Sequence, residues 1–221
     1  MTIAATTALR SGPRPSTSRH EIVQCAIRML DREGPGALTF RAVARELDIA
    51  VGALSRYFKN LADLEDEVAA QIMSELRPLD SNSKRGLRDQ LLRFGIDLLE
   101  IHRAHPYLLT IHGPASAAVI ARHMKRSLEA LLKEGLDFER ALAIYSMVGS
   151  LPYAWGAQTT RQQKPELQAQ VSQAFSEQMD EYFPKMEKLL TADTTATLYR
   201  RWFLFYIDAM LSASPAAGKG L

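Results

Sequence analysis

The stretch Phe40–Lys59, F-R-A-V-A-R-E-L-D-I-A-V-G-A-L-S-R-Y-F-K, decides how this 221-residue chain is read. Val43, Leu47, Ile49, Leu54 and Phe58 are spaced so that two short helices close on each other across a tight turn, with the small Ala44 where they come nearest. Asp48 falls in that turn, at the position where a left-handed backbone is usual; glycine fits best there, and aspartate tolerates it better than most residues. This is the spacing of a helix-turn-helix, the second helix of which enters the major groove of DNA.

If Leu54 points inward, a turn of about 100° per residue puts Gly52 and Arg56 on the opposite face, flanked by Ala53 and Ser55, with Val51 opening the helix. A nearly bare surface carrying one guanidinium can press into a groove, and Arg56 has the geometry to pair a guanine edge bidentately. Ser55 is placed for a base or a phosphate. Tyr57 and Lys59 at the rim, and Thr39 and Arg41 at the start of the preceding helix, suit phosphate oxygens.

Outward from this segment the pattern stays helical. Ile22, Val23, Ala26, Ile27 and Leu30 share one face of a helix over 18–33 that Gly34-Pro35-Gly36 stops. Thr39 is a good N-cap for a helix to Leu47, the third helix covers 51–58, and a fourth over 61–76 carries Leu64, Val68, Ile72 and Leu76. Pro78–Gly86 joins turn formers with charge and marks a boundary. Further helices are expected at 87–103, 106–111, 115–134, 138–158, 165–189 and 194–213, punctuated by Pro106, Gly113-Pro114, Gly135 and Pro165. No segment alternates with period two over a useful length, so the fold class is all-α: a tail over 1–17, a helix-turn-helix domain over 18–77, a helical body over 78–213 and a short tail over 214–221.

Composition agrees with a folded chain: 47% of residues are hydrophobic and 24% charged. The net charge of +2 names no partner, but residues 1–60 hold nine Lys or Arg against five Asp or Glu, a local bias that favours a polyanion near the N-terminal part. The start lacks the basic patch and apolar block of a signal peptide, and one cysteine, Cys25, makes no internal disulfide, so a reducing cytoplasm is expected. Cys25 reads as a core filler of the first helix, with a redox role left open. The uncharged run Ala141–Thr160 approaches the ~20 residues of a membrane span but is diluted by polar side chains and by Pro152, and reads as a buried helix.

The stretch A-L-T-F-R-A-V-A-R-E-L-D-I-A-V-G-A-L-S-R-Y-F-K-N-L-A-D-L, residues 37–64, resembles the N-terminal domain of the TetR family of one-component repressors, with its Leu-Thr-x-Arg opening, Ala-x-x-Leu helix, recognition helix and Tyr/His-Phe-Lys exit. H-R-A-H-P-Y-L-L at 102–109 and Gly113-Pro114 resemble the tetracycline-repressor type of C-terminal domain. Asp48 stands for the usual turn glycine, Ala50 for a common Ser/Thr cap, Ser55 for a frequent Tyr and Leu61 for a frequent Lys, so the operator sequence does not carry over.

The resemblance implies a homodimer that represses from a palindromic double-stranded DNA operator and is released by a small effector. Effector binding would favour a head separation mismatched to successive major grooves, with helix 61–76 as the lever; the coupling is reciprocal, and about 2–3 kcal/mol of it would suffice for large derepression. For the dimer face, Leu198, Trp202, Phe205 and Ala209 make one stripe of the last helix, and Met147, Ser150 and Ala154 offer small or pliable residues on another. For an apolar or aromatic effector, His102, Tyr107, His112, Met124, Met147, Trp155, Phe175 and Met179 mix bulky apolar groups with few polar handles. No cofactor is expected.

Two rival readings stand beside this one. His102-x-x-His105 puts two imidazoles on one helical face, a fragment of a metal site, but Pro106 ends that helix and no third ligand follows at fixed spacing. Neither a Gly-rich phosphate loop nor a nucleophile elbow appears, so catalysis is not expected. The other rival is a protein-interaction module whose helix-turn-helix does not bind DNA.

Overall fold

The structure, a computed structural model, describes residues 17–161, 173 and 195–212, with backbone alone for 153–161, 195, 196 and 198. Every regular element among them is helical. In chain order they are α1 (Arg19–Glu33), α2 (Phe40–Glu46), α3 (Val51–Leu54), α4 (Leu61–Met73), α5 (Leu87–Ala104), α6 (Pro114–Lys133), α7 (Phe138–Arg161) and α8 (Thr195–Ser212), with 3-10 turns at Pro35–Ala37 and Pro106–Leu109. The helix expected at 165–189 lies outside the described residues.

Local chemistry sets the helix ends. Ser18 caps α1 reciprocally: its Oγ accepts from the Glu21 N–H at 3.1 Å while the Glu21 carboxylate accepts from the Ser18 N–H at 2.7 Å. Gly34, at φ 81°, stops that helix. Thr39 and Asn60 cap α2 and α4 through Ala42 and Asp63 N–H groups at 3.1 and 2.9 Å. Two helices are shorter than the periodicity predicts. The third is α-helical only to Leu54, after which Arg56 and Tyr57 bond three residues back, to Ala53 and Leu54, in a tighter turn. The fourth ends at Met73, after which Glu75 and Leu76 bond three residues back, to Ile72 and Met73, in a tighter turn. The expected 106–111 helix is a single 3-10 turn.

Two apolar clusters organise the chain. The first gathers α1 to α4 around Ile22, Met29, Val43, Leu54, Phe58 and Leu64, and draws in Tyr107 and Ile111 from the other half. The second joins α5, α6, α7 and α8 around Leu91, Phe94, Leu131, Ile144, Phe203 and Ile207. Here α8 lies so close to α5 that a Cβ on Gly95 would overlap the Phe203 ring. Cys25, 1% exposed, belongs to the first cluster, and burial pushes its thiol above the ordinary range, which makes it a packing residue.

Candidate nucleic-acid interface and ligand cavity

The turn between α2 and α3 is built as the sequence implies. Asp48 has φ 51°, a left-handed conformation, and the Ile49 N–H closes the turn on the Ala44 carbonyl at 2.9 Å. Leu54 and Phe58 are buried beneath it at 0% and 2% exposure, so the other side of the segment faces outward. Gly52, Ser55, Arg56 and Lys59 are exposed, Val51 is 43% exposed and Ala53 is half-buried. Thr39 and Arg41 are exposed at the start of α2. The Thr39 oxygen accepts from α2, which leaves its hydroxyl proton available to an outside acceptor. Among the described residues, the side chains of Arg41, Arg56 and Lys59 enter no ion pair, so three cations stand on one surface.

Gly52 is informative for a second reason. A Cβ built on it meets no atom within 4 Å, and its φ is not positive. The fold needs no glycine there, although glycine weakens a helix by about 0.5–1 kcal/mol relative to alanine. What the missing side chain permits is close approach of another molecule to the backbone.

Tyr57 differs from expectation. Its hydroxyl donates to the Thr17 carbonyl at 2.5 Å, and its own carbonyl accepts from Arg19 at 2.6 Å. Arg19 also pairs with Glu67 at 2.9 Å and lies 4.5 Å over the Phe58 ring, so it ties the end of the α3 segment to α1 and α4. Tyr57 therefore braces the surface rather than offering it a spare hydroxyl. Sequence reasoning missed Arg19, because a cation–π contact between residues 19 and 58 leaves no periodic signal.

A cavity of about 300 Å³ lies between α4, α5, α6 and α7. His102, His112 and Met124 line it. Tyr107 does not: it is buried in the first cluster, where its hydroxyl donates to Asp31 at 2.8 Å, and burial together with that carboxylate pushes the phenol far above its ordinary range. Met147 is not in the lining either, being 49% exposed on the outer face of α7. The Trp155 side chain, Phe175 and Met179 lie outside the described residues. The lining includes His123, Ser116, Phe94 and Tyr145, which the sequence reading passed over. His123 sits one residue from Met124, and the i, i+3 spacing from Ile120 was the available signal.

Cavity and head meet at Asp66. This α4 carboxylate is 8% exposed and accepts from the Ala115 N–H at 2.7 Å, the Ser116 N–H at 2.9 Å and the Ser116 hydroxyl at 2.7 Å, all in the first turn of α6. Burial by itself would raise this carboxyl, but the hydrogen bonds from Ser116, Ala115 and Gly113 outweigh it and hold the group below the usual range. Gly113 makes room, since a Cβ there would lie 2.6 Å from the Asp66 Cγ. A second joint runs from Asp31 on α1 to His105, 2.7 Å away, and Tyr107.

On the far side, Trp202 and Phe205 of α8 are 45% and 78% exposed, with Ala209 exposed beside them, and Met147 and Ser150 are exposed on α7. The side chains of Ala154 and Leu198 lie outside those described. Phe138, 60% exposed, adds an apolar group not singled out from the sequence. Among the described residues no helix is long and apolar enough to cross a membrane.

Residues 22–68 match the profile of bacterial regulatory proteins of the tetR family. The HTH-type transcriptional repressor DrrR1 of Streptomyces coeruleorubidus is 26% identical over 184 residues, 82% of this chain and 67% of that protein. ActR of Streptomyces coelicolor in complex with actinorhodin superposes with a TM-score of 0.70 at 21% identity, covering 93% of this chain and all of that one. BioQ with its natural double-stranded DNA operator gives 0.55 at 22% identity over 70% of this chain and 94% of that one. The exposed recognition segment thus lies within residues 22–68, the part of this all-helical chain that matches the tetR family of bacterial regulatory proteins.

Proposed function

We propose that this chain is a cytoplasmic, dimeric repressor that holds a palindromic operator through Thr39, Arg41 and the segment Val51–Lys59, and leaves it when a small apolar or aromatic effector fills the cavity. The observation that carries the reading is the outward face of α3: Gly52 open to 4 Å, with Arg56, Arg41 and Lys59 exposed around it. Arg56 reads a guanine edge, and Thr39, Arg41, Ser55 and Lys59 hold phosphates. The repressor name of the 26%-identical relative and the ligand named with ActR support the two halves of this function. Residues 18–77 form the reading head and 78–213 the body. The exposed apolar residues of α7 and α8 supply the contact to a second copy, which a palindromic site requires.

Two experiments test the reading. Selection of duplexes from a random pool should return a two-fold symmetric consensus; an asymmetric one, or none, overturns the dimeric repressor. On the selected site, Arg56→Ala should weaken binding by ~1–3 kcal/mol and relax preference at one base pair of each half-site. Affinity of the unmodified protein should fall steeply with salt. A protein-interaction module would be indifferent to both changes.

A further inference from the structure

One large apolar side chain of the head has no task in the fold. Among the described residues from 17 to 77, Val51 is the single large hydrophobic group that stands exposed, at 43%. Ile49, two residues before it, packs on the apolar cluster of the head, and Leu54, three residues after it, is sealed inside. Valine gains nothing as a helix former either. It opens a helix of four residues, where a β-branched side chain is held to one main rotamer and supports the backbone less well than alanine.

The surroundings of Val51 narrow what could cover it. It adjoins Gly52 on the surface that carries the exposed cations Arg41, Arg56 and Lys59. A second copy of that surface would bring like charges together, whereas a polyanion complements it. Phosphates offer an isopropyl group nothing apolar. The base edges of a major groove present donors and acceptors at every pair, and one apolar group among them, the C5-methyl of thymine.

Reach decides whether the two can touch. An isopropyl extends two carbons from its Cα, so it meets a base edge only where the helix backbone itself lies against the groove. Gly52 supplies that approach, since it carries no Cβ and no atom of the protein comes within 4 Å of where one would stand. Arg56 is long enough to reach a base without such help, but Val51 is not. The bare residue and the short apolar one therefore act together, and the stiff rotamer of valine holds the isopropyl in place before the duplex arrives.

We propose that Val51 is a specificity-determining residue, whose isopropyl packs on the C5-methyl of a thymine in the operator half-site and so selects a T·A pair at that position. The inference rests on the reading of α3 as the DNA-recognition helix and adds a base that no hydrogen bond specifies, beside the guanine assigned to Arg56.

The test uses the full-length protein and the duplex selected from the random pool. Each thymine of one half-site, on either strand, is replaced in turn by deoxyuridine, which keeps every hydrogen-bonding group and loses the methyl alone. One such replacement should weaken binding by the parent about threefold to fivefold. The factor should be the same at low and high salt, because no phosphate contact changes. Val51→Ala should bring it to about one and Val51→Ile should keep it, with the unfolding transition of both variants close to that of the parent. A merely structural role for Val51 would not move a ratio between two duplexes that differ by one methyl. A half-site without thymine on either strand, a parent indifferent to every deoxyuridine, or losses in Val51→Ala equal to those of the parent at every position overturns the proposal. Any of these results with salt-sensitive binding of a symmetric duplex sinks the role of Val51 alone, whereas failure of the unmodified protein to select a duplex sinks the reading of α3 on which it rests.

Discussion

Gly52 lowers the stability of α3 while nothing in the protein occupies the space its side chain would fill. Gly52→Ala should therefore raise the unfolding free energy by ~0.5–1 kcal/mol, read by chemical denaturation, and weaken operator binding at the same time. The two effects have opposite signs only if the bare backbone serves a partner. Higher stability with unaltered affinity would show that the duplex never approaches this residue. Asp48 and Gly52 were both legible in the sequence, because each follows from a local backbone requirement or a helical phase. Tyr57 was expected to offer its hydroxyl to phosphate, and that hydroxyl instead donates to the Thr17 carbonyl. Its partners, Thr17 and Arg19, are 40 and 38 residues away in the chain, and no periodicity reports such a contact.

Between elements, the joint of α4 with α6 carries the link from cavity to head. Ser116 belongs to the cavity lining and donates to Asp66, so a ligand that displaces the first turn of α6 acts directly on α4. Asp66→Asn puts an amide N–H₂ where an oxygen accepted and removes the charge, and should destabilise the protein by ~1.5–3 kcal/mol near pH 7. The sign of the pH dependence follows from a carboxyl held below its unfolded value of about 3.9. Its contribution is complete above that pH and is lost as pH falls through the folded-state value, so the gap between variant and parent should be flat from about pH 5 to 8 and narrow below about pH 4. Denaturation curves across that range check it; a gap that widens in acid would refute the assignment. The helices themselves were readable from their caps and stripes. The pairing of Asp66 with Gly113 to Ser116 was not, since a buried aspartate on an amphipathic helix looks from sequence like any exposed one.

At the scale of the assembly, the two faces of α8 are unlike. Tyr199, Phe203 and Ile207 are buried at 3%, 2% and 0% exposure against the chain's own core, whereas Trp202 and Phe205 point away from it. On the proposed dimer, that division would separate folding from association, so that one substitution addresses association alone. Phe205 is 78% exposed, so Phe205→Glu removes little from the chain's own packing and sets two like charges into any two-fold contact centred on this helix. Sedimentation should show the parent as a dimer and the variant as a monomer with its helical circular dichroism retained. Operator affinity should then fall by about a hundredfold or more, because the second head no longer binds at the effective concentration set by the first. Binding to a single half-site should be much less affected, since the surface around Arg56 is carried by the other apolar cluster, through Leu54 and Phe58. A variant that stays dimeric would move the interface elsewhere on the body, and a monomer that keeps full affinity for the palindrome would remove the need for a dimer at all.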